Sequence, residues 1–182
     1  LSKHIGMNLL EIANFYNKEP FDWLLDNAIN NGFEDLFAAE LLNSDNKQVQ
    51  KLLKHQYASI ALSDAGAHTS LLCDAGYAIE LLSKWTRNLK VFSLEEAVYN
   101  LTGKQADICR IPKRGRLVPG YFADMILFDP NKISTSAAYR KDDLPSKSER
   151  LIVDPIGLKE IWVNGVNKDK NTAGKLIREF LS

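Results

Sequence analysis

Tyr57-Ala58-Ser59-Ile60-Ala61-Leu62 runs straight into Ser63-Asp64-Ala65-Gly66-Ala67-His68, so an apolar stretch ends in a turn of small residues that carries one acid and one imidazole. A stretch so short and so apolar predicts a strand buried on both faces, the habit of parallel sheets covered by their crossover helices. Catalytic groups are commonly mounted at the carboxyl ends of such strands. Asp64 is therefore the residue to explain. The same spacing also fits an Asp that caps the following segment and a His that packs locally.

The surrounding pattern alternates helix and strand. Leu9, Leu10, Ile12, Ala13 and Phe15 recur at helical spacing, and Pro20 to Asn31-Gly32 reads as a helix with Pro at its start and Gly past its end. Residues 44–54 form a third helical pattern with Val49, Leu52 and Leu53 on one face. After the Asp64 turn, Tyr77, Ala78, Leu81, Leu82 and Trp85 predict a core-facing helix that packs back on the strand. Ser93-Leu94-Glu95-Glu96 is a Ser-x-x-Glu capping box that opens another helix, and a short helical piece around 105–108 ends before Pro112. From 113 the grammar changes. Arg114 to Gly120 is turn-rich, Met125-Ile126-Leu127-Phe128 predicts a compact buried strand, and 131–150 reads as a long polar loop. Leu158 to Val163 alternates and meets Asn164-Gly165, a strong hairpin signal. The last stretch, with Leu176, Ile177 and Phe180, fits a short helix or an extended tail.

The chain has 182 residues, enough for a real core, and Lys plus Arg equals Asp plus Glu at 23 each. No basic field recommends nucleic acid or an anionic membrane as partner, so a small molecule or another protein is expected. Cys73 and Cys109 share no ligand or disulfide spacing and are expected to be buried thiols in a reducing cytoplasm. No apolar run approaches the roughly 20 residues of a membrane span, and the opening residues lack the continuous apolar core of a signal peptide. A soluble, cytoplasmic chain is the expectation. The first methionine is Met7, after Leu1-Ser2-Lys3-His4. This predicts numbering that starts inside a longer protein, although removal of an initiator methionine would also leave a start without Met.

Several motifs occur together: Leu10-Glu11-Ile12-Ala13 with Pro20-Phe21-Asp22; Leu62 to His68 with Cys73-Asp74-Ala75-Gly76-Tyr77; Ser93 to Val98; and Leu101-Thr102. They continue through Arg114 to Leu117, Pro119-Gly120, Ala123-Asp124, Phe128-Asp129-Pro130 and Val163-Asn164-Gly165. Together they resemble the amidohydrolase superfamily. The Asp64 segment and Asp143-Leu144-Pro145 point to its N-acyl-D-amino-acid deacylase (D-aminoacylase-like) branch. That resemblance implies an α/β chain: the C-terminal part of a metal-dependent (β/α)8 barrel over residues 1–112, with 57–64 as the last strand and closing helices after it. Residues 113–182 would supply the C-terminal strands of a small β-sandwich. A full barrel needs roughly 250 residues, so the expectation is the C-terminal portion of a longer enzyme.

Amide hydrolysis needs an activated water and a proton for the leaving amine. A metal lowers the pKa of bound water to about 7, and a carboxylate beside it can move the proton. By resemblance Asp64 takes the acid/base role, at or beside the metal, and His68 touches substrate or supports the metal ligands. Zinc is expected in the complete enzyme. Its main ligands are expected upstream, and this chain alone need hold none. His4 and His55 are read as a polar opening residue and a helix-end residue. Cys73 has no base arranged beside it, and Asp124 and Asp129 read as turn and edge residues. The implied partner is an N-acyl amino acid. Exposed edges of an isolated portion would predict an oligomer or dependence on the missing barrel half. Two alternatives remain: a stand-alone, non-catalytic interaction module from the same fold, or a different amide hydrolase such as one acting on cyclic amides.

Overall fold

A computed structural model of the chain describes residues 4, 6–33, 42–61, 63, 66–67, 69–169, 174–178 and 180. It divides into two compact units, Leu1–Asp45 and Asn46–Ser182.

In the first unit, α1 (Leu9–Phe15) starts at Asn8, whose side chain accepts from the Glu11 N–H while the Asn8 N–H donates to Glu11 Oε2, a complete capping box. Helix α2 (Pro20–Asn30) has Pro at its first position, where the missing N–H costs no hydrogen bond. Ile12, Ala13 and Trp23 form the buried contact between the two helices, with Leu9 against it.

The second unit is α/β. Among the described residues, helices α3 (Asn46–Leu53), α4 (Tyr77–Glu80), α5 (Leu94–Leu101) and α6 (Gly103–Ile108) precede seven short strands. Helix α4 runs into a π-helical stretch, Leu81–Asn88, where the Leu89 N–H reaches back to the Lys84 carbonyl at 2.8 Å. The Ser93–Glu96 capping box opens α5 with both of its hydrogen bonds present, as the spacing predicts.

All strand pairs are antiparallel. Strands β1 (Met125–Phe128), β6 (Leu158–Val163) and β7 (Val166–Asn167) form one sheet in the order β1-β6-β7, with a bulge between Leu127 and Phe128. Strands β2 (Ser134–Thr135) and β5 (Pro155–Ile156) pair, as do β3 (Tyr139–Lys141) and β4 (Arg150–Ile152). The β6–β7 hairpin turns at Asn164 and Gly165, both with positive φ (51° and 79°), which is why Asn-Gly is the favoured pair there.

Leu81, Leu82, Trp85, Val91, Phe92, Ala97 and Ile133 make the core of this unit, with Phe128 and Leu158 packed against it. Residues before and after position 112 thus share one core. Arg87 seals the junction by donating from Nη1 to the Ile133 carbonyl at 2.7 Å.

Three expectations need correction. Among the described residues of 57–64, none pairs in a ladder, and Tyr57 is 85% exposed. Ile60 packs on the core, but the backbone is held by side chains: Lys104 Nζ donates to the Ala58 carbonyl at 2.7 Å, and Ser59 donates to Gln105 Oε1 at 2.8 Å. An apolar run becomes a strand only when a neighbouring strand takes its N–H and C=O groups. Second, β1 is an edge strand and not a compact buried one, with Ile126 54% and Leu127 46% exposed. Third, the long loop at 131–150 contains β2, β3 and the first residue of β4.

Candidate functional site

Asp64 and His68, with Leu62 and Ala65, lie outside the described residues. Their described neighbours in sequence line two clefts. Ser63 lines a cleft of about 410 Å³ together with Cys73, Asp74, Gly76, Tyr77, Glu80, Thr135 and Val153. Gly66 and Thr69 line a second cleft of about 400 Å³, whose other wall is Lys141 and Arg150 to Asp154. Cys73 and Val153 belong to both. The described residues on either side of Asp64 in sequence thus line two clefts whose walls include Thr135 of β2 and Arg150 to Ile152 of β4.

Several contacts seat this segment. The Leu151 N–H donates to the Thr69 carbonyl at 2.8 Å, and the Tyr77 hydroxyl donates to the Ala61 carbonyl at 3.5 Å. Gly66 has φ +99°, a conformation that suits glycine in a sharp reversal. On the cleft wall, Glu80 pairs with Lys84 at 3.3 Å, one helical turn on.

The histidines resolve differently. His55 follows α3 and accepts the Tyr57 N–H on Nδ1 at 3.3 Å. His4 pairs its Nε2 with the Tyr16 hydroxyl at 3.0 Å and sits edge-on to the Phe15, Tyr16 and Trp23 rings. Among the described residues no three His, Cys, Asp or Glu side chains group as a metal site. Zinc takes three or four such ligands, so the described donors do not fit it.

The cysteines are not the buried thiols expected: Cys73 is half-buried between the two clefts, and Cys109 is exposed at the end of α6. Asp124 and Asp129 do hold turns. Asp124 accepts from the Asn164 N–H at 2.8 Å and from Arg114, whose guanidinium also donates to Asn164 Oδ1 at 2.8 Å and lies over the Phe122 ring at 4.3 Å. Asp129 accepts from the Asn131 N–H at 2.9 Å.

Sequence reasoning used Asp143-Leu144-Pro145 only as a branch signature and missed its contact. Arg150 donates from Nε and Nη2 to the two Asp143 oxygens at 2.6 and 2.9 Å, and Lys141 Nζ stands 3.5 Å away. The Arg150 fork, then the nearby Lys141 charge, holds the Asp143 carboxyl at about 2, below its ordinary 3.8. Opposite charges flanking a Pro-containing loop were the available signal. The β3–β4 register is what brings them together.

Residues 20–166 match the model of the Amidohydrolase family, and the chain belongs to that family. More narrowly, it is 34% identical over 85 residues to the D-aminoacylase of Alcaligenes xylosoxydans xylosoxydans, covering 47% of this chain and 16% of that protein. From the same organism, N-acyl-D-aspartate deacylase is 31% identical over 90 residues (50% of this chain, 16% of the relative). Its N-acyl-D-glutamate deacylase is 26% identical over 125 residues (66% and 23%). A D-aminoacylase crystal structure said to define a novel subset of amidohydrolases matches at 30% identity, covering 54% of this chain and 19% of that one. Its TM-score is 0.40, and the family assignment rests on the sequence matches. The chain spans less than a quarter of the length of these relatives. No helix among the described residues is long and apolar enough to cross a membrane.

Proposed function

We propose that this chain is the C-terminal part of a cytoplasmic amidohydrolase that cleaves the amide bond of N-acyl-D-amino acids, with Asp64 as general acid/base. The observation that carries the reading is the identity shared with three relatives whose names all specify an N-acyl-D-amino acid or its D-aminoacylase. It agrees with the clefts lined by Ser63, Gly66 and Thr69, the described sequence neighbours of Asp64.

In this reading the segment 57–64 supplies Asp64, 1–112 is the barrel portion and 113–182 the sandwich portion. The Asp64 carboxylate accepts a proton from the attacking water as its oxygen bonds to the acyl carbon. It then returns that proton to the nitrogen as the C–N bond breaks, leaving a carboxylic acid and a free D-amino acid. His68 contacts the substrate or supports the metal ligands. Zinc, if the parent enzyme uses it, is held by residues beyond the described ones, since those offer no fitting donor set.

The test isolates the native protein from its source with an antibody to this chain and assays N-acetyl-D-leucine, -aspartate and -glutamate beside their L-isomers. The D-isomers are expected to be cleaved, and Asp64→Asn is expected to lower turnover by about 100-fold or more. Absence of cleavage of all three D-substrates overturns the activity; undiminished turnover in Asp64→Asn removes Asp64 from the mechanism.

A further inference from the structure

Helix α2 is apolar around more of its circumference than its contact with α1 covers. At about 100° per residue, Leu24, Ala28, Phe21, Leu25 and Ile29 fall within one arc of about 140°, and Trp23 lies nearly opposite its centre. Asp22, Asp26 and Asn30 form the polar row beside that arc. A helical stripe of this width faces a core. Yet Trp23 is the α2 residue that is buried, against Ile12 and Ala13. Phe21 and Ile29 are each 67% exposed and Leu25 is 45% exposed, with Leu24 and Ala28 half-buried. The wider apolar face of α2 is thus the uncovered one.

The first unit supplies no second core for that face among its described residues, where Ile12, Ala13 and Trp23 are the buried ones and Leu9 packs on them. A unit of the size of Leu1–Asp45 that buries so little lies below what stands on its own core. The match to the Amidohydrolase family opens at Pro20, the first residue of α2, so the whole helix belongs to the family's span. In each of the three relatives more than three-quarters of the protein lies outside the part that this chain matches. Polypeptide joined to this chain would meet the face at an effective concentration of about millimolar, which a free second copy does not reach. Phe21, Leu25 and Ile29 carry no charge, so the surface that fits them is apolar, with the Asp22 and Asp26 row as its polar rim.

We propose that Phe21, Leu25 and Ile29 form a docking face for the polypeptide that precedes this chain in the complete amidohydrolase. This rests on the reading of the chain as the C-terminal part of a longer enzyme, and one sample tests both. The native protein is isolated from its source, its intact mass is measured, and its side chains are labelled by carbene footprinting before and after unfolding in guanidinium chloride. Phe21, Leu25 and Ile29 are expected to label about tenfold less in the native protein than in the unfolded one, the ratio of 67% exposure to the 6% of the buried Trp23. In the same protein Phe21 is then replaced by photoreactive p-benzoylphenylalanine. Irradiation is expected to join it to a peptide upstream of Leu1 without doubling the mass.

Open labelling of the three residues in a native protein longer than this chain overturns the proposal and leaves the C-terminal reading intact. So does a cross-link to residues of this chain itself, which would place the cover within it, or one that doubles the mass, which would assign the face to a second copy. A native polypeptide no longer than these 182 residues fails the C-terminal reading itself, and the docking face falls with it.

Discussion

The helical half of the second unit and its strand half bury their apolar residues to very different degrees. In the helices Leu81, Leu82, Trp85 and Ala97 are all buried, whereas in the strands Ile126 and Leu127 stand half-open, and the buried Ile133 lies in the connection just before β2. The difference follows from where each element finds its hydrogen bonds. A helix satisfies its backbone internally and needs only a neighbour for one stripe. Strands of two to six residues depend on partners for both backbone and faces. Here they are braced by charged forks such as Arg150 with Asp143 and Arg114 with Asp124 and Asn164.

Three perturbations would break or sharpen that contrast. The largest belongs to Trp85, 7% exposed at the centre of the helical core. Trp85→Ala is expected to cost about 3–5 kcal/mol, read as a fall in the denaturant midpoint. A cost below about 1 kcal/mol would mean that the helices do not carry the unit's stability.

The strand forks are expected to act through pH. The folded carboxyl of Asp143 sits at about 2, below its ordinary 3.8. Its contribution is therefore present above the ordinary value and is lost as the pH falls through about 2. Asp143→Asn should flatten this acid limb of the melting temperature, and added salt should shrink the difference, since the pair is solvent-screened. An acid limb identical in wild type and variant would show that the fork does not brace β3 and β4.

The smallest effect is expected at Ile126. Ile126→Thr keeps a β-branched residue on an open face and should change stability by no more than about 0.5 kcal/mol by thermal melting. A much larger loss would mean that the face of β1 is covered in the native protein.

What could be read in the sequence was what depends on adjacent residues. The Ser93–Glu96 box, Pro20 at the head of α2 and the Asn164-Gly165 turn were each legible because a cap or a tight turn is completed within a few residues. The family was legible for a similar reason, since its motifs are short and ordered along the chain. Tyr57 to Ala61 was not: the run is apolar enough for a strand, but a ladder needs a second strand that no local signal supplies. Exposure at Cys109 and Ile126 escaped for the complementary reason, because burial depends on what covers a residue and not on its own chemistry.

The amino-acid sequence by itself determined the helix starts, the β6–β7 turn, the family and the choice of Asp64 as the group to test. Only the tertiary structure decided that Asp143 meets Arg150, that the Leu151 N–H meets Thr69, and that Gly76 lies against Thr135 and Val153. These contacts join residues that are distant in sequence or separated by a loop. They exist only once strand register and core packing have brought the partners within hydrogen-bond or van der Waals range.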